Sequence, residues 1–351
     1  AVTVLVVWIL LKKMKAQFVL FFGGLVLLVS ALAMDALGLL PNGAQILPKG
    51  VSSTGFVGFD LFKCITSLMS SRVAGIGLLI MAASGYSTYM AKIGASALMA
   101  DYISRPLRVF KSPYLVLALS YVVGAVADLF IPSASGLSML LMVTMYPVLV
   151  RLGVSRLSAA ALIITVSCLD MGPPSGAANY AAQVAGMDTM TYFIEYQLPV
   201  GIVTTIAVAV LHYFSQKYFD AKDGEKANEI DETVAKQNAL DSKGAPAWYG
   251  FLPMLPLIML FVLNRFVISS IKLDVPTAMF ISFTVALICE LIRKPAKEVL
   301  TTAMDFFNTM GRQFATVITL IVAGELFAKG LIATGTIDYL IDVTKNIDRK
   351  S

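Results

Sequence analysis

Residues 112–186 read SPYLVLALSYVVGAVADLFIPSASGLSMLLMVTMYPVLVRLGVSRLSAAALIITVSCLDMGPPSGAANYAAQVAG, and how this stretch must fold decides the architecture. Two apolar arms, 113–131 and 136–150, flank the turn Ile131-Pro132-Ser133-Ala134-Ser135-Gly136. Basic residues stand at both outer ends: Arg105, Arg108 and Lys111 before the first arm, Arg151 and Arg156 after the second. Lys and Arg collect on the cytoplasmic side of a membrane protein, so both outer ends belong there and the arms form a re-entrant hairpin. Two ordinary spans with an outside turn are the alternative, which breaks the charge pattern of everything downstream. A non-helical tip at membrane depth is tolerated only where it lines a cavity. The next span, 157–186, carries Gly172-Pro173-Pro174-Ser175-Gly176 at its middle. Two adjacent prolines remove backbone donors and clash with the preceding turn, so this helix breaks in mid-membrane.

Composition agrees with a membrane setting. Of 351 residues, 58% are hydrophobic and 14% charged, and the mean hydropathy is +0.79. Soluble chains carry about 25% charged residues, so this one has too much apolar surface for a water-soluble core. The fold class is all-α, a polytopic transmembrane protein with the lipid bilayer as its solvent. The net charge of +5 sits at span ends and is no nucleic-acid signature. Cys64, Cys168 and Cys289 lie in or beside apolar runs without metal-ligand spacing and read as small packing residues. No cleavable signal pattern appears. The chain opens at Ala1 inside an apolar run, and its true start is expected upstream.

Apolar spans are read at roughly 1–12, 17–40, 73–94, 113–131, 136–150, 157–186, 191–214, 249–268, 275–292 and 313–335. Two shorter amphipathic stretches, about 55–71 and 296–311, are expected along the interface. The polar segment 215–247 reads as a solvated cytoplasmic linker. Lys12, Lys13 and Lys15, then Lys217 with Lys222, and Arg293, Lys294 and Lys297 mark the same cytoplasmic side.

Residues 79–101 lie on residues 320–342 without gaps, an offset of 241 (320 − 79). Leu79, Ile80, Ala82, Gly94 and Asp101 meet Leu320, Ile321, Ala323, Gly335 and Asp342, while Tyr86 meets Phe327 and Met90 meets Leu331. The order of spans and interfacial helix recurs with opposite orientation, the inverted-topology repeat of secondary transporters. The expected domains are 1–214 as first repeat (scaffold spans 1–94, hairpin and broken helix 113–186, closing span 191–214), 215–247 as linker, and 248–351 as second repeat. A complete second repeat would place its tip near position 374 and its break near 416, so the chain is expected to be a fragment lacking roughly a hundred residues.

An enzyme lacks its parts here. His212 is the only imidazole, expected at the interface near a helix C-terminus, and no phosphate loop, metal cluster or redox pair appears. The two chain breaks offer anion binding instead. Ser133 and Ser135 can cap the second hairpin arm, and Ser175 the half-helix after the break. Free N–H groups at two helix N-termini make an anion site without a buried cation. Ala134, Gly136 and Gly176 let a ligand approach the backbone beside Pro174, and Asn179, one turn further on, can donate to the same carboxylate. Serines that merely satisfy their own helix ends are the alternative. Asp128 and Asp170 lie in apolar surroundings, and intramembrane acids are costly and usually functional. They are the candidates for a coupling proton or sodium ion; no other cofactor or metal is expected. Arg72, Lys92, Glu195 and Glu325 stand near span ends and are expected at the interface.

The runs PSASGLSMLLMVTMYPVLVRLGVSR, GPPSG with AAQVAGM, SPYLVLALSYVV and AVLHYFSQKYFDAK resemble the anaerobic four-carbon dicarboxylate carriers of the DcuC type, over approximately residues 15–343. The resemblance implies paired re-entrant hairpins, a scaffold with an elevator-like transport domain, and uptake, exchange or efflux of fumarate, malate and succinate. It also implies the bacterial inner membrane and a homodimer. The family pattern has serine at Asp128, an apolar residue at Asp170, and slightly different tip and break residues. The expected function is therefore secondary transport of small dicarboxylates. The alternatives are a carrier of the same superfamily for amino acids or other organic anions, and a channel or membrane receptor.

Overall fold

The computed structural model describes residues 2–40, 43–48, 50–105, 107, 110, 112–131, 134–223, 244–263, 271, 273–337 and 339. Every regular element among them is helical. In chain order they are α1 (Val2–Leu11), α2 (Ala16–Ala36), α3 (Val57–Arg72), α4 (Leu78–Lys92), α5 (Ala95–Ser104), α6 (Pro113–Asp128), α7 (Ala134–Thr144) and α8 (Tyr146–Arg151). Then come α9 (Arg156–Val166), α10 (Gly176–Val184), α11 (Thr189–Tyr192), α12 (Leu198–Asp223), a 3₁₀ helix (Ala247–Met254), α13 (Leu255–Val262), α14 (Val275–Arg293), α15 (Ala296–Gln313) and α16 (Thr319–Ala333). Among the described residues, five continuous helices are long and apolar enough to cross a bilayer: Ala16–Ala36, Val57–Lys92, Thr189–Lys222, Val275–Arg293 and Ala296–Ala333.

Three of these long helices contain a wide, π-type turn. Val73–Gly77 joins α3 to α4 and is kinked at Gly75 (φ −88°, ψ −115°). Phe193–Gln197 joins α11 to α12, and Phe314–Ile318 joins α15 to α16. The first and last turns stand 241 residues apart (314 − 73). The helices after them, Leu78–Lys92 and Thr319–Ala333, each have 15 residues. Gly94 (φ 79°) and Gly335 (φ 67°) follow in the left-handed conformation that glycine adopts without strain. The two amphipathic stretches expected to stand apart thus run straight into the spans after them. A π-turn needs no proline or glycine pair, so nothing in the sequence announces it.

The chain divides into two compact units. One comprises Ala1–Leu78 with Arg312–Ser351, the other Leu79–Gly311. In the first, α2 and α16 pack at backbone contact. A side chain at Gly24 would meet the Phe327 nitrogen at 2.7 Å and the Leu326 carbonyl oxygen at 2.9 Å, and one at Gly330 would meet Leu27 Cβ at 2.6 Å. Small residues that let backbones approach are the usual basis of helix association in lipid. Arg72 at the end of α3 gives a two-pronged ion pair to Glu325 on α16. The two charges expected near span ends are thus partners of one another.

The second unit has two apolar cores. One gathers α4, α14 and α15, where Phe283 stacks on Phe306 (4.1 Å between centroids) and Tyr89 meets Phe283 edge-on (4.9 Å). The buried Glu290 beside it accepts from Tyr249 (2.7 Å) and pairs with Arg293 and Lys294 (both 2.9 Å). The other core gathers α6, α7, α8 and α9 around Leu117, Tyr121, Leu141 and Leu162. Asp220 of α12 fastens the starts of α6 and α9 to this core, accepting from the Tyr114 hydroxyl (3.1 Å), the Ser155 N–H (3.2 Å) and the Ser158 hydroxyl (2.6 Å).

Two expectations shift. α5 occupies residues read as connecting chain. α12 continues to Asp223, so the first part of the expected linker is helical, while 224–243 lie outside the described residues. His212 is therefore not at a helix end. It is buried, with Nε2 2.8 Å from the Thr165 hydroxyl and its ring 5.3 Å from that of Tyr121.

Candidate anion site at the broken helix

α9 ends at Val166, and residues 167–175 are non-helical before α10 begins at Gly176. Gly172 starts the reversal in the left-handed region (φ 92°), and the Ser175 N–H closes it on the Gly172 carbonyl (3.0 Å). Pro173 and Pro174 are buried in the turn and carry no N–H to satisfy. Ser175 is the N-cap: its hydroxyl accepts from the Ala178 N–H (3.1 Å) and its carbonyl from the Asn179 N–H (3.2 Å).

The donors left over are informative. Among the described residues, no acceptor meets the N–H groups of Gly176 and Ala177, the first two of α10. They point along the positive end of the helix, with the small side of Gly176 and exposed Ala177 leaving the backbone approachable. Two parallel N–H groups at a helix start can bind one carboxylate.

The amide of Asn179 is fully engaged within the break. Its Nδ2 donates to the carbonyls of Pro173 and Ser175 (2.7 Å to the latter), and its Oδ1 accepts from the Thr189 hydroxyl (2.8 Å). Gln197, in the π-turn before α12, accepts the Gly172 N–H on its Oε1 at 3.0 Å. Sequence reasoning missed both Thr189 and Gln197. For Gln197 the only signal was an amide two residues after Glu195 near the start of an apolar run, and its partner lies 25 residues away.

Around the turn expected as a hairpin tip, α6 ends at Asp128 and α7 starts at Ala134, which is exposed. Pro132 and Ser133 lie outside the described residues. Ser135 and Gly136 fall in the first turn of α7. Asp128 and the break come together: the Ser167 hydroxyl donates to Asp128 Oδ1 at 2.9 Å, whereas Asp170 is exposed. No cluster of three or more metal-ligating side chains occurs among the described residues.

The chain's kinship bears on this geometry. Residues 1–348 match the family described as C4-dicarboxylate anaerobic carrier, DcuC. The chain is 31% identical over 346 residues to the probable anaerobic C4-dicarboxylate transporter DcuC of Vibrio cholerae, covering 98% of this chain and 72% of that protein. It is 32% identical over 343 residues to the anaerobic C4-dicarboxylate transporter DcuC of Escherichia coli O6:H1, covering 97% of this chain and 71% of the relative. No solved structure matches.

Proposed function

This chain belongs to the C4-dicarboxylate anaerobic carrier family, and from that premise we propose that it moves succinate, fumarate and malate across the bacterial inner membrane by exchange or ion-coupled transport. It is a multi-pass membrane transporter and no enzyme. The observation that carries the site assignment is the break before α10, whose two free N–H groups fit one carboxylate of a dicarboxylate. Pro174, Ser175, Gly176 and Asn179 form this face of the substrate site, Asn179 acting through the backbone it holds. Ser133, Ala134, Ser135 and Gly136 form the other face. Asp128 and Asp170 hold the coupling proton or sodium ion.

Transport by alternating access follows from an inverted repeat with residues 1–214 and 248–351 as its halves and 215–247 as the linker. The offset of 241 shared by the π-turns at Val73–Gly77 and Phe314–Ile318 supports this reading. The hairpin and broken helix, 113–186, move as one block, a reading supported by the apolar core that α6, α7, α8 and α9 share. A homodimer, implied by family resemblance, belongs to the same proposal.

The test is counterflow. Labelled succinate should enter proteoliposomes preloaded with fumarate, saturably and in competition with malate. Uptake that malate leaves untouched and aspartate abolishes would move the substrate to the amino acids. Flux without saturation or counterflow would mean a channel, and binding without flux a receptor.

A further inference from the structure

We propose that Gln197 is a positioning residue of the transport site: the π-turn that ends α11 aims its amide at the broken helix and sets the direction of the α10 N–H groups. The inference rests on the reading of that break as a substrate face. Four observations converge on the loop at Met171–Gly172. Gln197 Oε1 accepts the N–H of Gly172 at 3.0 Å. Gly201, one turn later on the same face of α12, faces Met171: a side chain built there would meet its sulfur at 2.3 Å. From the opposite side Leu129, just past the end of α6, sits 3.0 Å from where a Gly172 side chain would begin. Gly172 itself is buried and left-handed, so its conformation tolerates no substitute that could hold the loop by other means.

The π-turn explains why a glutamine at this position reaches the break. A wide turn inserts one residue into the helical register and re-aims the side chains after it, and such turns recur at functional sites. An acid at this position would keep the acceptor oxygen but bring a negative charge toward the anion. A neutral amide supplies the acceptor alone. Gln197 touches no substrate in this arrangement; it acts through Gly172, the turn closed by Ser175, and hence Gly176.

Three variants read this out in reconstituted full-length chain. In Gln197→Leu the Gly172 N–H loses its acceptor, and a lost bond of this kind corresponds to roughly a two- to tenfold rise in KM for succinate. Hydrogen exchange at 171–177 should quicken in the same variant. Gln197→Asn, too short to reach, should behave alike. Gln197→Glu should keep wild-type exchange at 171–177 and wild-type melting yet raise KM, by a factor that shrinks as salt screens the added charge. A merely structural glutamine would lower the melting temperature of the Leu variant without moving KM, and would give the Glu variant no salt-dependent KM. Either result overturns the proposal, as does unchanged exchange at 171–177 in Gln197→Leu. If the wild-type chain carries no succinate while exchange in the Leu variant still rises, the clamp on the loop stands and the substrate reading falls.

Discussion

Replacing Asn179 with alanine is expected to cut succinate exchange about a hundredfold. The side chain makes three hydrogen bonds, two to carbonyls of the break and one from Thr189. Each is worth about 0.5–1.5 kcal/mol, and their joint loss amounts to roughly 2–4 kcal/mol. The loss falls on the loop that directs the α10 N–H groups, so it appears in transport before it appears in folding. About 2.7 kcal/mol of lost transition-state stabilisation corresponds to a hundredfold in rate. Asn179→Asp tests the direction of the bonds. It keeps the shape and can still accept from Thr189, but it turns two donors into acceptors facing carbonyls, and it should be at least as damaging as alanine. Initial rates of succinate counterflow, normalised to folded protein, measure both. An Asn179→Ala carrier within threefold of wild type would show that the break holds its shape without this amide.

The second large effect lies in the other unit. Gly24→Leu should destabilise the α2–α16 pair by about 3 kcal/mol, because overpacking against backbone leaves no side chain to move aside. The atoms that a new side chain meets at Gly24 are the Phe327 nitrogen and the Leu326 carbonyl, and neither can give way without parting the helices. Gly324 supplies the contrast within α16. Nothing stands within 4 Å of a side chain there, so Gly324→Ala should stabilise the helix by roughly 0.5–1 kcal/mol. Thermal unfolding in detergent should move the two variants in opposite directions. Equal, small shifts would mean that α2 and α16 do not pack at backbone contact.

Much of this architecture was legible because membranes impose few solutions. The apolar lengths marked the long helices over 17–40, 73–94, 191–214, 275–292 and 313–335, and Gly172-Pro173-Pro174-Ser175-Gly176 gave the break at the position where α9 gives way to α10. The N-cap role of Ser175 follows from a hydroxyl standing just before a helix, which is local information. Pairings over distance were not legible. Arg72 and Glu325 each read as an interfacial charge, since nothing in the sequence states that α3 and α16 meet. Asn179 read as a free donor because its partners are carbonyls freed by the proline turn and a threonine ten residues on. Gln197 went unnoticed for a related reason: a π-turn carries no residue signature, and without that turn the side chain would point elsewhere. His212 was placed at a helix end because polar residues follow it, whereas α12 runs on to Asp223 through that polar stretch. α5 escaped because its ten residues follow Gly94 closely and are too short to read as a span.

The claim at the centre is that substrate carboxylate binds the backbone N–H groups that open α10, and one pair of variants tests it most directly. Gly176→Ala and Gly176→Pro both place a Cβ 3.0 Å from Ile80 Cγ1, so they share the cost of that contact. Only the proline removes the N–H. Proline suits the first position of a helix, and Ser175 (φ −71°, ψ 130°) already has the extended backbone required of the residue before it. Loss of one hydrogen bond to a charged group, about 1.5–3 kcal/mol, should raise KM for succinate at least tenfold in Gly176→Pro relative to Gly176→Ala. Equal KM values from two folded variants would contradict the account, because the carboxylate would then be bound somewhere other than the start of α10.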